Sequence, residues 1–211
     1  MAELTHITFV LDSSGSMSKI ADDTKGGFNT FLADQREADG EATVSLYEFD
    51  TNVTTMYRAI PIAEASKLTD DTYTPGGQTA LHDALATAIG ETADHVETAP
   101  DRPDEVVVVT LTDGKENASE TPADQVRETI ETYREEHDWE FLFIGANQDA
   151  ALTAEQMGMD ADKSLSMSHT GEGTQAAYES TSERVREVRQ SGSTAGYDEA
   201  DRQRQRDADD T

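Results

Sequence analysis

The sequence predicts an α/β fold: a doubly wound, mostly parallel sheet with one antiparallel edge strand and helices on both faces. Three observations carry this. Residues 7–11, 105–111 and 139–144 are apolar, β-branched or aromatic runs of strand length with little polar alternation, the mark of strands covered on both faces. Between them lie longer segments with apolar residues at helical spacing. Strand and helix patterns alternate along most of the chain, as crossover-connected parallel strands require.

Taken in order, residues 5–11 read as the first, central strand. Residues 25–38 read as a helix, with Phe28, Phe31, Leu32 and Gln35 on one face and Gly40 beyond its end. Residues 42–49 and 53–60 read as strands. The turn Asp50-Thr51-Asn52 between them is too short for a crossover, so the two are antiparallel and form an edge hairpin. Residues 61–71 read as a short helix or turn plus loop, and Tyr73-Thr74-Pro75-Gly76-Gly77 as a loop. Residues 80–96 form the clearest helical stripe, through Leu81, Ala84, Leu85, Ala88, Ile89 and Val96. A second buried strand covers 105–111, and a helix begins at Thr121-Pro122 and runs to about His137. The strand at 139–144 ends at Gly145-Ala146-Asn147. A short helix over 150–157, a weak edge strand over 164–168 and a helix over 174–188 complete the domain. The domain is expected to span 1–190; residues 191–211 are polar and read as a tail, disordered or ordered only on a partner.

Composition narrows the function. The 211 residues suffice for one domain with a sizeable core. Acidic residues number 44 against 16 basic, a net charge of −28. No basic face is left for nucleic acid or anionic lipid. The acid is spread over the whole chain, and a surface this repulsive is stable only where salt screens it, so adaptation to high salt is expected. Cysteine is absent, which excludes a disulfide framework. The start, Met1-Ala2-Glu3-Leu4-Thr5-His6, has no basic leader region, and no apolar stretch approaches the ~20 residues of a membrane span. The expected location is the cytoplasm, or a particle assembled there such as a virion.

The chemistry-bearing stretches lie at strand ends. The first strand runs out into Asp12-Ser13-Ser14-Gly15-Ser16, a carboxylate and two hydroxyls at alternate positions, with Gly15 allowing a tight turn. Gly76-Gly77-Gln78-Thr79 is a glycine loop leading into a helix. Val106-Val107-Val108-Val109-Thr110-Leu111-Thr112-Asp113-Gly114 is a strand ending in a carboxylate. These donors are all oxygen, which suits Mg²⁺, Ca²⁺ or Mn²⁺ rather than a soft metal. Ligands of doubly wound sheets bind beyond the carboxyl ends of the strands, where Asp12 and Asp113 stand.

In this order and context the three motifs resemble the von Willebrand factor A family and its metal-ion-dependent adhesion site, over about residues 4–190. The resemblance implies a metal set of Asp12, Ser14, Ser16, Thr79 and Asp113, with direct ligation by Ser14, Ser16 and, once a partner is bound, Thr79. It implies that Asp12 and Asp113 act through water or switch between direct and bridged contact. It implies Mg²⁺, with Ca²⁺ or Mn²⁺ as alternatives, and a protein or glycoprotein partner whose acidic side chain completes the coordination. Blander readings exist for each residue. Asp12 or Asp113-Gly114 alone would be a turn, Ser14 and Ser16 ordinary loop serines, and Thr79 the N-cap of the following helix. His82 and Asp83 read as supporting residues.

Other sites fare worse. The five histidines, at 6, 82, 95, 137 and 169, show no metal-ligand spacing. The glycines lack phosphate-loop spacing, and Asn52-Val53-Thr54 and Asn117-Ala118-Ser119 match the common glycosylation pattern. The expected function is therefore non-enzymatic binding through a divalent cation. One alternative is a structural subunit of a viral particle, surface appendage or multiprotein complex, with self-association into a homo-oligomer. A less favoured alternative is Mg²⁺-dependent phosphoryl transfer, but Ser14 stands where such an enzyme would want a second carboxylate, and no nucleophile–base pair is evident.

Overall fold

Strand β1 (Leu4–Asp12) runs through the middle of a six-stranded sheet in a computed structural model that describes residues 4–146 and 149–210. Met1 to Glu3, where a leader was sought, and Asn147, the expected end of a strand, lie outside the described residues. The other strands are β2 (Glu41–Phe49), β3 (Val53–Pro61), β4 (Glu105–Thr112), β5 (Glu140–Ala146) and β6 (Ser164–Met167). Their order is β3-β2-β1-β4-β5-β6. All neighbours pair parallel except the β2–β3 edge hairpin. The predicted fold class and edge strand are therefore present.

Among the described residues the α-helices are α1 (Ala21–Glu37), α2 (Leu81–Thr98), α3 (Ala123–Glu136), α4 (Ala150–Gln156), α5 (Gly171–Ser191) and α6 (Glu199–Asp209). Because side chains alternate across a strand, β1 feeds two cores. Ile7, Phe9 and Leu11 join the core beneath α1 and α5, where the Phe9 ring lies 5.1 Å from Phe28, 5.4 Å from Phe31 and 6.0 Å from Tyr178. Val10 joins the other core with Val106, Val108, Phe141, Phe143 and the α2 stripe. Thr8, on that same face, is buried and satisfied by the Thr92 hydroxyl at 2.7 Å. The strand register ends β1 and β4 almost level, Leu11 opposite Leu111, so Asp12 and Asp113 emerge on one rim.

Part of the segment read as a tail, disordered or ordered only on a partner, is helical among the described residues. Instead of a disordered arm, residues 199–209 form α6, which packs on α5 and β6. A capping box starts it: the Asp198 side chain accepts from Asp201 N and the Asp201 side chain accepts from Asp198 N, each at 2.9 Å. Just before it, Tyr197 enters the core and shares a hydrogen bond with the Thr181 hydroxyl. Gln205 takes the Ser168 N–H and donates to the Gly173 carbonyl, fastening α6 over the start of α5. The helix is too polar for its hydropathy to announce it; it docks through Tyr197, Ala208 and satisfied polar groups. Among the described residues no helix is long and apolar enough to cross a membrane.

Candidate metal centre

The centre is built at the rim where β1 and β4 give out. Asp12 is fully buried. Its Oδ1 accepts the Ser14 N–H at 2.7 Å, closing the loop back on the strand end, and its Oδ2 accepts the Thr112 hydroxyl at 2.5 Å. Burial holds the Asp12 carboxyl above the ordinary carboxylate range; the Thr112 and Ser14 hydrogen bonds pull it back and the Asp113 charge adds to the rise. Ser14 and Ser16 bring their hydroxyls to 3.2 Å from each other, and Ser16 donates to Asp113 Oδ1 at 2.5 Å. One short loop thus links both strand-end carboxylates.

The glycine loop is sewn onto that loop. Gly15 N–H donates to the Gly77 carbonyl at 3.2 Å, and Gly76 N–H donates to the Ser13 carbonyl at 2.8 Å. Gly77 has φ +75°, and a Cβ there would lie 2.8 Å from the Thr51 hydroxyl. Both the left-handed backbone and the close approach demand glycine. From this loop Thr79 reaches the rim. Its N–H is held by the Asn117 side chain at 2.9 Å, and Asn117 N–H in turn donates to the Thr79 carbonyl at 3.0 Å. The Thr79 hydroxyl meets the chain at Gly114, where a Cβ would sit 2.7 Å from Oγ1 and 3.6 Å from Asp12 Oδ2.

Thr79 is not the cap of α2. The N-cap is Ala80, without a side-chain hydrogen bond. The first free N–H groups of the helix are taken by the next loop instead: His82 N–H by Glu116 Oε2 at 3.0 Å and Asp83 N–H by the Ser119 hydroxyl at 3.1 Å. The Thr79 hydroxyl makes no hydrogen bond among the described residues and stays free for another task. Asp83 is a supporting residue, as expected; its carboxylate accepts from Glu120 and Thr121 N–H groups.

Asp12, Ser14, Ser16, Thr79 and Asp113, drawn from three distant segments, thus meet at one rim. Their chemistry fits a hard divalent cation on a direct observation: Asp113 Oδ2 is buried without a hydrogen-bond donor. His169 Nε2 lies 2.9 Å from it, within ion-pair distance but without forming a hydrogen bond. Two carboxylates buried this close call for a positive partner. Among the described residues no group of three or more His, Cys, Asp or Glu converges on a point, so any cation bound here depends on the hydroxyls.

Sequence reasoning missed Thr112, Asn117, Tyr73 and His169. Tyr73 donates its buried hydroxyl to the Asp12 carbonyl at 2.6 Å. Each acts through a contact far apart in the chain, which spacing cannot show; only the place of Thr112 beside Asp113 in the strand-end motif hinted at a role. Two histidines far apart in the sequence meet in the fold: the His6 and His95 rings lie 5.0 Å apart at the opposite end of β1. Both His6 nitrogens are engaged by the Thr43 and Ser45 hydroxyls, and burial first, then the His95 and Arg58 charges, hold its pKa down to about 3. It is a core histidine.

A family model, the von Willebrand factor type A domain, matches residues 6–184. A comparison with curated protein sequences returns no match. Many solved structures share the fold. Proximal thread matrix protein 1 from the mussel byssus, with a zinc-occupied MIDAS motif, is 18% identical with a TM-score of 0.66, over 88% of this chain and 46% of that one. The domain from the type V pili tip protein Mfa5 of Porphyromonas gingivalis is 10% identical with a TM-score of 0.61, over 88% of this chain and 96% of that one. The manganese-loaded TRAP protein of Plasmodium vivax is 20% identical with a TM-score of 0.51, over 68% of this chain and 57% of that one. The chain spans about half the length, 46%, of the first structures it matches.

Proposed function

The chain belongs to the von Willebrand factor type A domain family, and from that premise we propose that it is a binding module. It holds a protein partner through a divalent cation at Asp12, Ser14, Ser16, Thr79 and Asp113. The observation that supports this reading is the meeting of those side chains at one rim, with Asp113 Oδ2 buried and accepting no hydrogen bond and the Thr79 hydroxyl uncommitted among the described residues. When bound, the cation supplies a positive charge that three neutral hydroxyls leave under-neutralised, which favours an acidic side chain from the partner.

The chain's own residues set the geometry. Thr112 and Ser14 N–H hold the Asp12 carboxylate in place, and Ser16 orients Asp113. Asn117 fixes the backbone of Thr79 while leaving its hydroxyl free. Ser14 stands where a phosphoryl-transfer enzyme would want a second carboxylate, which favours binding over phosphoryl transfer. The oxygen-only donor set favours Mg²⁺, Ca²⁺ or Mn²⁺. A role as subunit of an assembly is compatible with the same site.

The test is a thermal melt in molar KCl with excess MgCl₂ and again with chelator, for the wild type and Asp113→Ala. A ligand that binds only the folded state raises the melting temperature. We expect a rise of several degrees that the variant loses, about what RT ln(1 + [L]/Kd) gives for [L] at 100 times Kd. Identical wild-type melts under the two conditions sink the metal reading.

A further inference from the structure

The Asp113 carboxylate is approached from two sides. From the loop after β1, the Ser16 hydroxyl donates to Oδ1 at 2.5 Å. From the other side, His169 Nε2 lies 2.9 Å from Oδ2. His169 stands two residues past the end of β6, and β5 separates β6 from β4 in the sheet. Two strand spacings, about 10 Å, lie between the strands that carry the two residues, and the side chains close that gap across the rim.

Both facing atoms are buried, and neither has a hydrogen-bond partner among the described residues. Buried polar atoms are almost always satisfied, and an unmet one is costly. At 2.9 Å the pair already has the length of an N–H···O bond, so a small turn of the imidazole satisfies both atoms at once. The backbone around His169 is anchored for this contact. The Ser168 N–H before it donates to Gln205 Oε1 at 2.9 Å, and Thr170 after it caps α5 by accepting the Gly173 N–H at 3.0 Å. A Cβ at Gly173 would lie 2.5 Å from the Ser168 carbonyl oxygen, so the turn sits tightly against the start of α5. The His169 side chain, 14% exposed, therefore leaves a fixed backbone and ends at the acid.

We propose that His169 is a positioning residue of the metal centre: its Nε2–H donates to Asp113 Oδ2 and holds the carboxylate so that Oδ1 stays with Ser16. The inference rests on the metal-bridged reading above and adds a sixth side chain to that site. A carboxylate gripped at one oxygen swings about its last bond; gripped at both, it is ordered before the cation arrives, and binding loses less entropy. His169 acts on the acid and not on the cation. Among the described residues no three of His, Cys, Asp or Glu converge, so His169 forms no ligand trio with Asp12 and Asp113.

The probe is Mn²⁺ alone, titrated into the full chain in molar KCl at fixed pH, with free Mn²⁺ read by its EPR signal. Three variants are set against wild type: His169→Gln, whose amide nitrogen reaches about as far as Nε2; His169→Leu, of similar bulk without a donor; and His169→Asn, a donor that stops short. A cooperative urea transition in chelator establishes which of them fold, and the contrast of glutamine with asparagine decides if the leucine variant does not. We expect the leucine and asparagine variants to bind Mn²⁺ about tenfold more weakly than wild type, and the glutamine variant to recover most of the loss. Pulsed EPR of the bound ion shows no directly bonded nitrogen. Equal Mn²⁺ affinity in all four chains, or a glutamine variant as weak as the asparagine one, overturns the positioning role and leaves the metal site standing. A nitrogen bonded to Mn²⁺ in wild type and lost in the leucine variant also overturns it, by making His169 a ligand. A wild-type chain that binds no Mn²⁺ overturns the metal-bridged reading and this inference with it.

Discussion

The Thr112 hydroxyl donates a 2.5 Å hydrogen bond to Asp12 Oδ2, joining the ends of two adjacent strands at a fully buried carboxylate. Thr112 is equally buried and its oxygen also meets Gly114 N–H at 3.2 Å, so one side chain sets both the acid and the turn after Asp113. Thr112→Val keeps the shape and removes the donor. The acid then loses one of its two hydrogen bonds, and an unmet buried acceptor costs about 1–3 kcal/mol. We expect urea denaturation to show that loss, with Thr112→Ser recovering most of it. Wild-type stability in the valine variant would mean that Asp12 does not lean on this bond.

Glu48 offers a test of opposite sign. It sits on β2, 7% exposed, with Oε1 lacking a hydrogen-bond partner, and burial pushes its pKa up to about 7 from an ordinary value of 4.5. The folded state therefore holds a proton that the unfolded chain releases. The contribution of Glu48 to stability is fully present below pH 4.5 and is lost as pH rises through about 7. Glu48→Gln removes the titration. We expect the variant to gain on wild type between pH 5 and pH 8 by about 2 kcal/mol, less whatever water reaches the carboxyl. Urea midpoints at the two pH values measure it, and a difference that does not change with pH would show that Glu48 is solvated.

The surface charge makes a third prediction. With a net charge of −28, self-repulsion is long-ranged where the Debye length is about 30 Å, in 0.01 M salt, and short-ranged near 3 Å, in 1 M salt. We expect the melting temperature to rise steeply from dilute buffer to molar KCl. Exposed ion pairs work against this trend only weakly: Arg127–Glu131 at 2.8 Å, with side chains 53% and 37% exposed, gains little in any buffer. Equal melting in the two buffers would remove the expectation of adaptation to high salt.

What the sequence shows and hides follows from range. The valines of β4 and the stripe of α2 are legible because burial is written in the type and period of neighbouring residues. The five rim residues are legible because they end elements that are themselves legible. Asn117 was read only as part of a glycosylation pattern, yet its carbonyl oxygen holds Thr79; the partner is 38 residues away and no local pattern encodes it. Arg189 is hidden for the same reason. It is 3% exposed, and its guanidinium donates to the carbonyls of Gln35, Ala38 and Gly40, closing the end of α1. A polar residue in a core is visible only once its acceptors are in place.

The C-terminal segment carries the last prediction. Its capping residues Asp198 and Asp201 are a local signal that a helix begins, which composition alone overrode. The segment buries Tyr197 and Ala208, satisfies Ser168 and Gly173 through Gln205, and lets the Gly196 carbonyl accept from Arg184 at 3.0 Å. Ser168 precedes His169, which stands beside Asp113, so loss of α6 loosens one wall of the metal centre. Ending the chain after Gly192 removes a buried tyrosine and leaves the Arg184 charge short of acceptors. A buried aromatic is worth about 3 kcal/mol, so we expect the truncated chain to melt well below the full one while keeping its strand and helix signals in circular dichroism. A truncated chain that melts with the full-length protein would return the segment to the status of an arm, free until a partner orders it.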